Sequence, residues 1–156
     1  MLSQAVHKTP IGDLFLVSDE HILLAAGFRS FKDLFERMDP KDSAREVKSV
    51  KNIPIISDLI ADYFDGDISA INGILVRQPG ATFSQAAWKA MRKIAPGKTW
   101  SYADLAEKAG SPAAVRAAGS ACANNAIMLV VPCHRVVKTG ERLEIMPTVL
   151  KRSSGS

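Results

Sequence analysis

The chain has 156 residues, 47% hydrophobic and 23% charged, with two cysteines and a net charge of +4. That suits one compact domain, or two small subdomains sharing a core, and is not the composition of a disordered chain. No apolar run nears the roughly 18 residues that a membrane-spanning helix needs, and the opening MLSQAVHKTPIGD lacks the basic-then-apolar start of a secretion signal. Charge is unevenly spread: residues 1–80 carry 9 Lys/Arg against 12 Asp/Glu, net −3, and residues 81–156 carry 11 against 4, net +7. A basic half on a small domain points to a polyanion, nucleic acid first, or else to a solvated basic surface with no partner.

In chain order, the apolar runs Leu14 to Val17 and Ile22 to Phe28, separated by Ser18-Asp19-Glu20-His21, predict a hairpin. Ser30 caps a short helix through Met38, stopped by Asp39-Pro40. Residues 40–52 are polar and read as a loop. Pro54 opens a helix with Ile55, Ile56, Leu59, Ile60 and Tyr63-Phe64 on one face, ending near Gly66. Residues 67–82 read as a linker with one short strand at Ile74 to Val76, and a subdomain boundary falls there.

The second half reads as helical. Phe83, Ala87, Met91 and Ile94 recur at near-helical spacing, ahead of Pro96-Gly97. Ser101 caps a helix from Tyr102 to Ala109, with Asp104 completing a capping box, and Gly110 ends it. Ser111-Pro112 starts the next helix, which runs to about Asn124. Two helices joined by a Gly-Ser-Pro turn make a helix-turn-helix candidate. The second helix is lined with Ala, Gly and Ser, and Arg116 is its one charge. Reading base edges in a major groove takes several long polar side chains, so this helix suits a narrow groove and sequence-independent contact. The alternative is an Ala-rich helix packed inside the protein.

Ile127 to Val131 reads as a buried strand leading into Pro132-Cys133-His134-Arg135. A thiolate is the nucleophile in cysteine chemistry, and cationic neighbours lower a thiol's pKa from about 8.5. The alternative is an inert cysteine at a strand end. Cys122 and Cys133 form no CxxC pair and join no His/Cys cluster. They read as free thiols in a reducing, cytoplasmic setting, and no metal or cofactor is expected.

Val131-Pro132-Cys133-His134-Arg135-Val136-Val137 resembles the active-site motif of the O6-alkylguanine-DNA alkyltransferases, the methylated-DNA–protein-cysteine methyltransferases. Tyr63-Phe64-Asp65-Gly66 resembles the family's YFxG segment. Phe83 to Trp88, Ile94 to Thr99, Ser101-Tyr102 and Pro112 to Gly119 resemble its DNA-binding unit. The resemblance implies an α/β (α+β) fold. A ribonuclease-H-like N-terminal subdomain over 1–80 would precede a winged-helix-like helix-turn-helix subdomain over 81–140 that carries the cysteine, and a divergent tail over 141–156 would follow.

The resemblance also implies roles. Cys133 would take the alkyl group from guanine O6 by in-line displacement, with His134 as base through a water. Arg116 would fill the space left by the flipped nucleotide, and Tyr102 would press on its phosphate. Ala117, Gly119 and Arg135 would join the DNA contact. Asn125 would hold the turn into the active site, and Tyr102, Met128 and the backbone of Val136 would contact the guanine. The partner would be double-stranded DNA containing O6-alkylguanine, bound by a monomer. A base must leave the stack before such chemistry can reach it.

From Glu141 the sequence departs from the family pattern, which has a glycine-tyrosine-glycine loop and then a helix bearing a glutamate. A frame slip accounts for this. Leu143 to Ser154 can be back-translated so that the neighbouring frame reads Gly-Asn-Tyr-Ala-Tyr-Gly-Val-Glu-Ala-Lys-Gln, and the single codon of Met146 constrains two of those residues. The alternatives are natural divergence or a cloning scar at Ser153 to Ser156. Transfer slower than in a family member with an intact loop is the expectation, and a transfer-impaired binder of alkylated DNA is the second reading. A thiol hydrolase is disfavoured: no histidine follows His134, and the basic helix-turn-helix would have no role.

Overall fold

The computed structural model describes residues 1–137. Its first strand, β1 (Leu2–Thr9), has few apolar residues and was not legible by alternation; only Leu2 and Ala5 of it are buried. It pairs antiparallel with β2 (Gly12–Asp19), and β2 with β3 (Ile22–Gly27), which is the predicted hairpin. Ser30 Oγ accepts the Asp33 N–H at 3.1 Å and starts α1 (Phe31–Arg37) as expected.

Residues 40–52 are not a plain loop. Asp39 caps a short α2 (Pro40–Ser43), accepting the Lys41 N–H at 3.0 Å, and β4 (Val47–Ser49) follows. All three β4 residues are exposed, so no burial pattern announces the strand; it forms because the free edge of β1 supplies parallel partners, Leu2 to Val47 and Gln4 to Ser49. Then comes α3 (Ile56–Phe64), which buries Ile56, Ile60 and Tyr63. It ends in a Schellman motif: the Gly66 and Asp67 N–H groups donate to Tyr63 and Asp62 carbonyls, with Gly66 at φ 115.

The short strand expected within the 67–82 stretch is present and joins the sheet. A 3-10 turn over Ala70–Gly73 leads to β5 (Leu75–Val76), which pairs parallel with β3 and completes the order β4-β1-β2-β3-β5. Beyond it lie α4 (Thr82–Met91), β6 (Trp100–Ser101), α5 (Tyr102–Lys108), α6 (Val115–Ala123) and β7 (Val136–Val137), the last parallel to β6. The Ser101–Asp104 capping box is present, each side chain reaching the other's backbone N–H at 3.0 Å. Pro112 is not the first residue of α6: 111–114 form a turn, closed by the Ala114 N–H on the Ser111 carbonyl, and the helix begins at Val115. A second Schellman motif explains the delay. Gly110, at φ 93, and Ser111 donate to Glu107 and Ala106 carbonyls, so the chain has first to turn away from α5.

One apolar cluster joins the two halves: Leu14, Leu16 and Leu23 of the sheet pack with Ile60, Trp88, Met91, Leu105, Ala118 and Val131. No described helix is long and apolar enough to cross a membrane.

An ion-pair group ties the end of β2 to α2 and to the residue after β5. Arg45 donates to Asp19 at 2.8 Å and to Asp42 at 3.3 Å, and Arg77 donates to Asp42 at 2.8 Å. The hydrogen bond from Arg45 holds the Asp19 carboxyl below its ordinary value of 3.8. A lowered folded pKa gives stability that is present above the unfolded value and lost as pH falls through the folded one. Asp19→Asn is therefore expected to unfold at lower temperature at neutral pH, and to lose less than the parent chain does on acidification below about pH 4. Thermal unfolding across pH checks both.

Candidate active site

The apolar run before Cys133 was expected to be a strand and is a turn. Ile127 makes a single bridge to Ala26, and the Met128 N–H donates to the Ala26 carbonyl at 3.0 Å. Leu129 then reverses the chain at φ 72, and the Val130 and Val131 N–H groups bond locally to Met128 and Ile127. Period-two apolarity cannot separate such a buried turn from a strand, because both are apolar throughout.

Asn125 sets the shape of this turn. Its Nδ2 donates to the Val131 carbonyl at 2.9 Å and to the Ile127 carbonyl at 3.3 Å, and its Oδ1 accepts the Ile127 N–H at 3.1 Å. Its main-chain oxygen accepts from Arg37 at 3.4 Å. Gln78, absent from the sequence-derived site, also grips it: Nε2 donates to Asn125 Oδ1 at 3.0 Å, while Oε1 accepts the Ala126 N–H at 2.8 Å. Nothing local in the sequence marks Gln78, since its partners lie 47 and 48 residues away.

Cys133 opens a 3-10 turn, Cys133–Arg135, and its N–H donates to the Val131 carbonyl at 2.8 Å. Its thiol is half-buried. His134 beside it is held by burial, and secondarily by the Arg135 charge, at a pKa of about 4. The residue after the thiol is thus a neutral imidazole at physiological pH, the form that the implied base role needs, although burial makes it a weak base. Arg135 turns its guanidinium to the Ile94 carbonyl at 3.0 Å, tying the cysteine turn to the turn that follows α4.

The remaining predicted residues separate into two groups. On α6, Ala118 and Ala121 are fully buried, and Trp88 Nε1 donates to the Ala121 carbonyl at 2.8 Å. Arg116, Ser120 and Ala123, spaced four and three apart, are exposed, and Ala117 is half-buried. The small-residue helix thereby serves both readings, packing on one face and presenting a smooth stripe on the other. Tyr102, the first residue of α5, lies against Gly119: a Cβ there would stand 3.1 Å from the ring. Met128, 41% exposed, has its sulfur beside Gly27 of β3, and Val136 is buried in the β6–β7 pair. Among the described residues no group of three or more His, Cys, Asp or Glu is placed to hold a metal ion. The expected closing loop, its glutamate and the tail over 141–156 lie outside the described residues.

Fold and site together define a helix-turn-helix protein that presents a cysteine beside a neutral histidine. Residues 82–152 match the family model described as 6-O-methylguanine DNA methyltransferase, DNA binding domain. The methylated-DNA–protein-cysteine methyltransferase of Salmonella typhimurium is 36% identical over 133 residues, covering 83% of this chain and 78% of the relative. The constitutive enzyme of that name from Bacillus subtilis is 33% identical, with 83% and 77% covered. The structure of Mycobacterium tuberculosis OGT in complex with DNA superposes at a TM-score of 0.72 with 27% identity, over 90% of this chain and 81% of that one. This chain belongs to the methylated-DNA–protein-cysteine methyltransferase family.

Two outcomes are expected at the bench. Burial, with the nearby Cys133 charge, pushes the Cys122 thiol up to about 12. Iodoacetamide at about pH 8 should therefore label Cys133 well before Cys122, as read by peptide mapping. Gly119→Ala should displace the Tyr102 ring and weaken duplex affinity more than Ala117→Gly does, as read by fluorescence anisotropy.

Proposed function

We propose that this chain repairs DNA by moving an alkyl group from guanine O6 to Cys133, once per molecule. The observation that carries the reading is the cysteine and neutral histidine on a turn fixed to the end of a helix-turn-helix. The exposed stripe of Arg116, Ser120 and Ala123 docks on the duplex with little base reading, and the basic second half meets phosphates. The damaged base swings out of the stack, and Arg116 supports the gap it leaves. Tyr102, Ala117 and Gly119 line the contact, with Tyr102 against the phosphate of the flipped nucleotide.

His134 takes the thiol proton through a water. The Cys133 sulfur then attacks the alkyl carbon from the side opposite O6. A carbon–sulfur bond forms, the carbon–oxygen bond breaks, and the electron pair stays on the guanine, which is reprotonated. The thioether has no comparable leaving group, so the protein is consumed. Val136 and Met128 contact the guanine, and Asn125 keeps the turn in register. The chain acts as a monomer, and its two free thiols suit a reducing cytoplasm. Residues 1–80 serve as a frame and 81–140 as the working unit. The comparisons favour transfer over binding alone.

Intact-mass measurement after mixing with a methylated duplex should show one added methyl group, mapped to Cys133 and absent in Cys133→Ser. Label on Cys122, or label persisting in Cys133→Ser, would overturn the assignment. His134 loses its lone pair as pH falls through about 4, so the transfer rate should drop toward that pH while remaining insensitive to His134 titration near neutrality. Duplex affinity should fall by orders of magnitude between about 50 and 200 mM salt. Arg116→Ala should keep much of that binding and slow transfer. A tight, salt-insensitive complex at one sequence would contradict this reading.

A further inference from the structure

The turn that carries the cysteine is held from outside by a side chain that the chemistry does not use. Gln78, which follows β5, is 7% exposed. Its two amide ends meet opposite needs: Asn125 Oδ1 requires a donor and the Ala126 N–H requires an acceptor, and both lie at 2.8–3.0 Å. Its own carbonyl accepts from Gln85 of α4 at 2.7 Å. The bonds then continue from Asn125 Nδ2 to the Val131 carbonyl, and the Cys133 N–H donates to that same oxygen at 2.8 Å. A continuous run of hydrogen bonds thus links α4 to the backbone of the nucleophile. Between Asn125 and Val131, in the turn that this run closes, Leu129 sits at φ 72, a strained conformation for a non-glycine residue that persists only where its surroundings over-determine it.

We propose that Gln78 is a positioning residue for alkyl transfer, holding Asn125 so that the Cys133 sulfur lies in line with the carbon–oxygen bond. The proposal rests on the alkyl-transfer reading above. An in-line displacement tolerates little misplacement, and a shift of about 1 Å at a reacting atom costs on the order of 10²-fold in rate.

Two variants separate positioning from plain packing. Gln78→Met fills the space without either hydrogen bond. Gln78→Glu keeps the acceptor for Ala126 but donates to Asn125 only when its carboxyl is protonated, which burial favours. Single-turnover transfer from an O6-benzylguanine duplex is measured beside duplex affinity and melting temperature. Gln78→Met should transfer about 10- to 100-fold more slowly, with affinity within about threefold of the parent. The rate of Gln78→Glu relative to the parent should rise as pH falls from about 8 to about 5.5, and that of Gln78→Met should not. A folded Gln78→Met at parental rate, a flat Gln78→Glu ratio, or failure of both variants to fold would overturn the proposal. A parent chain that transfers nothing would overturn the functional reading itself.

Discussion

A buried carboxamide is costly unless its donors and acceptor are used, and the reactive turn depends on how Asn125 uses its own. Asn125 is 2% exposed. Its Nδ2 closes on Val131 and Ile127, and its Oδ1 is shared between the Ile127 N–H and Gln78. Without those bonds the left-handed step at Leu129 would have little to oppose its strain, and Cys133 would lose its fixed approach. The motif around Cys133 supplies reactive groups; this network supplies their position.

The same turn joins the protein's two halves. Ala26 of β3 pairs with Ile127, its N–H donates to the Ala126 carbonyl at 2.9 Å, and Arg37 of α1 reaches the Asn125 carbonyl. Arg135 binds the Ile94 carbonyl, in the turn that follows α4. The N-terminal sheet is therefore more than a neighbour of the DNA-binding unit: it supplies several of the partners that the cysteine turn would otherwise have to find in water. The shared core, running from Leu14 through Trp88 to Val131, makes that support stiff, because close-packed interiors yield little to local displacement.

Electrostatics follow from the packing. Burial strips His134 of its charge, so it meets the thiol as a neutral and weak base. Burial equally holds Cys122 as a protonated thiol, which makes it a poor nucleophile. On α6 the alternation of faces does similar work: alanines let the helix sit close to α4, and the opposite face stays free for a partner.

The sequence by itself determined what is set within a few residues: the hairpin around Ser18 to His21, the caps at Ser30 and Ser101, the helix stops at Gly66 and Gly110, and the chemistry of Pro132-Cys133-His134-Arg135. Each rests on a turn, a cap or a side chain beside its own backbone. Tertiary structure alone decided β4, which exists only because β1 has an open edge, and the turn at Ile127 to Val131, whose apolar residues fit a strand equally well until Asn125 closes on Val131. It also decided the role of Gln78, whose partners are distant in the chain, and the charge of His134, because burial is a property of the assembled fold and not of any short segment.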